Sequence, residues 1–134
     1  MARNIDWHDD MLFFRKIVEE AGIIAWITME DGYCVYHSPS WFSFTGAHRD
    51  AAAGYEWLEL VHPEDRTKTR KNFFEAVDQG SEYGLSYRLR KADGSFQLVW
   101  GHGVPRRSKD CNFLGYLGMT QPIEQYTSKI DELA

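Results

Sequence analysis

A chain of 134 residues, 43% hydrophobic, 15% aromatic and 26% charged, is long and apolar enough to build one packed core without disulfide or metal staples. A net charge of -5 argues against a phosphate-backbone partner, which needs a concentrated basic face, and the one basic cluster, Arg66, Lys68, Arg70 and Lys71, reads as a solvated helix surface. Cys34 and Cys111 match no metal spacing and suit a reducing, cytoplasmic setting; no apolar run reaches the ~20 residues of a membrane span, and Met1 to Asp10 lacks the basic flank and apolar centre of a signal peptide.

From Asp6 to Ala21, Trp7, Met11, Phe14, Val18 and Ala21 recur at three- and four-residue steps, with Phe13 and Ile17 beside them. This spacing predicts an amphipathic helix, capped by Asp6, Asp9 or Asp10 and ended by Gly22. Ile23 to Met29 and Tyr33 to His37 read as two strands joined by the hairpin turn Asp31-Gly32. Ser38-Pro39-Ser40 opens a short helix carrying Trp41, Phe42 and Phe44, which Thr45-Gly46 breaks, and short helical pieces follow from Ala51 to Val61.

His62-Pro63-Glu64-Asp65 has the proline and acidic groups of a helix start, so a helix is expected from Pro63 to Val77, closed by Gly80. Tyr83 to Lys91, Phe96 to Gly103 and Phe113 to Thr120 then form an antiparallel meander, turning at Ala92-Asp93-Gly94 and over the Arg106 to Asn112 loop. Gly101-His102-Gly103 lies inside a strand and is a packing feature rather than a catalytic one. Past Pro122, a further helix is expected with Tyr126, Ile130 and Leu133 on one side. The order implies an α+β fold with helices on one face of a five-stranded antiparallel sheet. It divides into a flanking helix (1–22), a central domain (23–121) and an outgoing segment (122–134).

Ser38-Pro39-Ser40-Trp41, Phe44-Thr45-Gly46, Gly54, Trp57-Leu58, His62-Pro63-Glu64-Asp65-Arg66, Tyr87-Arg88, Asp93-Gly94-Ser95, Gly103, Pro105, Gly115 and Gly118, in this order, resemble the PAS family in its common bacterial form. The resemblance implies a sheet curled around a small interior, and a sensory, non-enzymatic module. Such a module passes a shift to a partner such as a histidine kinase or a diguanylate cyclase. It also implies a homodimer and an N-terminal helix that packs on the outer sheet face. Three positions depart from the family pattern: Pro122-Ile123-Glu124 replaces the usual Asp-Ile-Thr, Ser38 replaces an asparagine, and Leu98 stands where a tryptophan is frequent. Trp100, two residues on and on the same strand face, carries the bulk instead.

No catalytic or metal-binding motif is present, and no cofactor is expected. A flavin photosensor needs a cysteine in the helical region after Gly46, and Ala47 to Trp57 has none; a haem sensor needs a histidine on the long helix, which has none either. The aromatic interior remains: Trp41, Phe44, Tyr55, Trp57, Phe73, Tyr87, Leu98 and Trp100 are the candidate ligand-contacting residues, with polar groups from Ser38, Tyr87, Arg88 and His102. Two readings stay open, a pocket for an unknown small ligand or a core that these rings fill. Met11, Phe14, Val18, Trp26 and Tyr116 are the candidate dimer contacts.

Overall fold

In a computed structural model that describes residues 3–124, helix α1 (Asp9–Ala21) begins three residues later than its periodicity suggests. His8 is the extended residue before the helix, and in the first turn the Asp10 carboxylate accepts from the Met11 amide at 2.9 Å while reaching across to Arg106. Gly22 takes the left-handed conformation (φ 68°) that closes the helix, and the Ile23 amide bonds the Val18 carbonyl at 2.9 Å. That cap consumes Ile23, so β1 spans only Ala25–Thr28 and pairs antiparallel with β2 (Cys34–His37).

Helix α2 (Pro39–Thr45) ends at Gly46, and two 3-10 turns (Arg49–Ala51 and Glu56–Leu60) lead into α3 (Pro63–Gln79). The His-Pro-Glu-Asp-Arg run is more than a helix start. His62 caps α3 by accepting from the Glu64 amide through Nδ1 at 3.1 Å, while its own amide bonds the Arg88 carbonyl at 2.9 Å. The Asp65 carboxylate accepts from the Arg88 amide and Nε, both at 2.9 Å, and Arg66 donates to the carbonyls of Leu58, Glu59 and Val61. The motif thus clips the beginning of α3 to the sheet and to the turn before it. Hydrogen bonding to Arg88 holds the Asp65 carboxyl down at about 2.

Strands β3 (Tyr83–Arg90), β4 (Phe96–Arg107) and β5 (Phe113–Pro122) complete a sheet in the order β2-β1-β5-β4-β3. β4 runs four residues past the expected end, and Arg106 and Arg107 belong to it rather than to a loop, because pairing with β5 continues to Arg107 across from Phe113. Pro122 does not interrupt β5. The Thr120 amide points to β1 and bonds the Ile24 carbonyl, so two residues on the missing N–H of Pro122 faces the side where β1 has ended.

Helices α2 and α3 lie on the inner face of the sheet, with Phe73 of α3 against Trp26 and Tyr83. Helix α1 lies on the outer face. There the Trp7 ring meets Tyr36 edge-on at 6.4 Å, the Arg15 guanidinium stacks over both rings, and the Tyr36 hydroxyl donates to Glu19 at 2.7 Å. The Arg106 guanidinium, buried beneath, is fixed by Asp10 at 2.8 Å. The expected helix around Tyr126, Ile130 and Leu133 lies outside the described residues.

Candidate functional site

Strand alternation alone would turn Cys34 and His37 to opposite faces, because they are an odd number of residues apart. An irregularity in the β1–β2 register at Ile27/Thr28 brings both inward. The chain then turns into α2, which stacks Trp41 on His37 with ring centroids 3.8 Å apart and planes 18° from parallel. Cys34 Sγ lies 3.3 Å from His37 Nε2 and 3.3 Å from the Tyr36 carbonyl.

These groups form one end of an interior cavity of about 20 Å³. Trp57 and Phe73 close it from the helical side; Trp26, Thr28, Tyr83, Tyr87, Leu89 and Thr120 rise into it from the sheet. Two of its polar atoms, His37 Nδ1 and the Tyr83 hydroxyl, are buried and have no hydrogen-bond partner among the described residues. Burial pushes the His37 imidazole down to about 3, against a smaller opposing effect of the Ala52 backbone, so the ring is neutral at physiological pH. Burial likewise pushes the Cys34 thiol up to about 12, which leaves it without thiolate character, and it raises the Tyr83 phenol strongly.

Of the expected ligand contacts, Trp41, Trp57, Phe73 and Tyr87 do line the cavity. Phe44 packs half-buried at the edge of the core. Tyr55 is a surface residue, 36% exposed, whose hydroxyl donates to the Asp31 carbonyl. Leu98 and Trp100 require correction, because even-numbered β4 residues point outward and leave these side chains 43% and 39% exposed. Of the expected polar groups only Tyr87 faces inward: the Ser38 hydroxyl is consumed by Ala25 and Ile23, Arg88 by Asp65, and His102 stacks beside Trp100 outside.

The expected dimer contacts are corrected in the same way. Trp26 and Tyr116 stand on the inner face, and Met11 and Val18 are buried between α1 and the sheet, with Phe14 half-buried. The apolar side chains left at the surface are others: Leu12, Phe13 (67% exposed) and Ile17 on α1, and Phe96, Leu98, Trp100 and Val104 (56%) along the outer row of β4. The sequence reading missed Trp26, Thr28, Cys34, His37, Tyr83, Leu89 and Thr120 as cavity residues. The glycines opposite them were the available signal, since Gly101 lies against the Tyr87 ring and Gly103 against Trp26.

A flavin or haem does not fit this interior. A cavity that admits even benzene is roughly 150 Å³, far above the space that Trp26, Trp41 and Trp57 leave here. Cys34 is on β2 and Cys111 is in an exposed turn, so neither stands on the α2–α3 connection where a flavin adduct would need a thiol. Among the described residues no group of histidine, cysteine and carboxylate side chains is arranged to hold a metal ion, and no helix is long and apolar enough to cross a membrane.

The PAS-fold family model matches residues 34–120, from the start of β2 to near the end of β5. The chain belongs to the PAS family. An uncharacterized protein of Sinorhizobium fredii, y4lL, is 38% identical over 112 residues; the match covers 84% of this chain but only 14% of that protein. The LOV protein of Rhodobacter sphaeroides has the same fold, with a TM-score of 0.73 at 14% identity over 95% of this chain and 75% of that one. So does the N-terminal domain of a diguanylate cyclase with a PAS/PAC sensor from Marinobacter aquaeolei, with a TM-score of 0.66 at 18% identity over 74% of this chain and 93% of that one.

Proposed function

We propose that this PAS domain is a non-catalytic sensory module that works through protein contact. In this reading it forms a homodimer over the outer face of its sheet and passes a shift to an output unit such as a histidine kinase or a diguanylate cyclase in the cytoplasm. The observation that carries the reading is the row Phe96, Leu98, Trp100 and Val104 on β4, which α1 leaves uncovered while its own Leu12, Phe13 and Ile17 are also exposed. Contiguous apolar surface of this kind is a contact site in most proteins. The three parts of the chain have separate tasks: the flanking helix 1–22 shapes the contact, 23–121 senses, and 122–134 leads out. Light scattering across a concentration series is the test. A dimer that Val104→Asp or Leu98→Asp converts to a folded monomer supports the reading; a wild-type monomer at all concentrations sinks it.

A second reading, that of a small-molecule receptor, is favoured by the unpaired Tyr83 hydroxyl and the buried His37 ring in a largely aromatic cavity. Pockets for small ligands combine apolar walls with a few directed polar groups. Thermal-shift screening tests it, since a ligand bound only by the folded state raises the melting temperature with its concentration.

A further inference from the structure

Tyr83 belongs to two spaces at once. It lines the interior cavity, and it is also among the residues that line an open surface groove of about 290 Å³ between the end of α3 and the start of β3, although it is only 4% exposed and its hydroxyl is buried. The two spaces share this residue. Its ring packs on Phe73 at 5.2 Å and Trp26 at 6.2 Å, while its hydroxyl has no partner among the described residues. A buried hydroxyl without a partner is a standing cost of the closed position. The groove offers Asn72, Gln79 and solvent, so rotation toward it would give the hydroxyl polar surroundings.

The two spaces differ in chemistry. The cavity is walled by aromatic faces and holds no charge, since its one basic group, His37, is neutral. The groove carries Glu75 and Glu82, neither of them ion-paired with a described residue, and no lysine or arginine lines it; Arg107 nearby is tied to the Gly80 carbonyl. A molecule that spans both therefore has a compact aromatic end and a cationic end.

We propose that Tyr83 is a gate and that, with its ring turned aside, cavity and groove form one site for a small aromatic amine. The ring enters among Trp26, Trp57 and Phe73, and the ammonium rests at Glu75 and Glu82. This inference rests on the receptor reading above and adds to it the ligand class and the entry route.

Three probes of similar shape test it with the full chain: 2-phenylethylamine, 2-phenylethanol and phenylacetate, followed by saturable amide shifts at Thr28, His37 and Thr120 in the cavity. The amine is expected to bind about tenfold more tightly than the alcohol, as a partly solvated charge pair allows, and phenylacetate not to bind. Glu75→Gln with Glu82→Gln should bring the amine down to the level of the alcohol. Tyr83→Phe, which keeps the ring and removes the unpaired hydroxyl, should leave or raise the melting temperature and weaken amine binding severalfold. If the alcohol and the amine bind equally, or if Tyr83→Phe changes nothing, the amine site and its gate are wrong while the receptor reading stands. If no probe moves the cavity amides, both fall.

Discussion

The indole of Trp26 reaches across Gly118 of the neighbouring β5 to Gly103 of β4 beyond it, so that a methyl group at Gly103 would come within 2.7 Å of it and one at Gly118 closer still. Neither glycine has a positive φ, so alanine is acceptable to the backbone and only the ring objects. Gly118→Ala should destabilise by about 1–3 kcal/mol or more through overpacking. Gly94→Ala is the control: nothing lies within 4 Å of its position, but φ is 88°, so the loss should be the backbone cost alone, about 1–2 kcal/mol. Urea midpoints at constant slope measure both.

His37 gives the fold an acid-side weakness. The unfolded chain takes up a proton near pH 6.5, whereas the folded one resists down to about 3. The stability due to the neutral ring is therefore complete above 6.5 and is lost as pH falls from there toward 3. About 2 kcal/mol should disappear between pH 7.5 and pH 5, and His37→Asn should flatten that part of the urea-midpoint profile. Asp65, held at about 2 by Arg88, adds a loss of the same sign only as pH drops below its ordinary 3.8. Above pH 3.8 the loss is therefore that of His37, and below it the two overlap.

Asp10→Asn should loosen α1 from the sheet, because the buried Arg106 guanidinium then lacks its carboxylate. Half of the Asp10 side chain faces solvent, which reduces the penalty from the ~3–5 kcal/mol of a fully buried pair to about 1–2 kcal/mol. Faster hydrogen exchange along α1, with β3 and β4 unchanged, is the expected signature.

Trp57→Ala should enlarge the cavity and cost about 3–5 kcal/mol. If the space stays open, indole should recover part of that loss in a thermal melt. Wild-type protein, whose closed cavity of about 20 Å³ is smaller than indole, should show a smaller gain.

The elements and their order were legible in the sequence because caps and turns are local: Gly22, Asp31-Gly32, Gly46, Pro63, Gly80 and Asp93-Gly94 all mark real boundaries. Which face a strand residue occupies is not local. The bulk of Leu98 and Trp100 suggests an inward position, yet the parity of β4 is set by Gly101 and Gly103, which face Tyr87 and Trp26. Cys34 and His37 escaped notice for the opposite reason, since regular alternation forbids them from sharing a face and only the irregular β1–β2 register permits it. On α1 the regular stripe Met11, Phe14 and Val18 was read as an intermolecular surface. It is the seam with the chain's own sheet, and the residues beside it, Phe13 and Ile17, are the exposed ones.

Backbone pairing at the end of β5 does not stop at Pro122. The Ile123 amide donates to the Leu98 carbonyl at 2.8 Å, and the Gln97 side chain holds the Ile123 carbonyl at 3.0 Å. The polypeptide is thus moored to the first residues of β4 until its last step before Glu124. A mooring has no slack: the direction in which the chain leaves the sheet as far as Glu124 is tied to the position of Gln97 and Leu98, the residues at the start of β4.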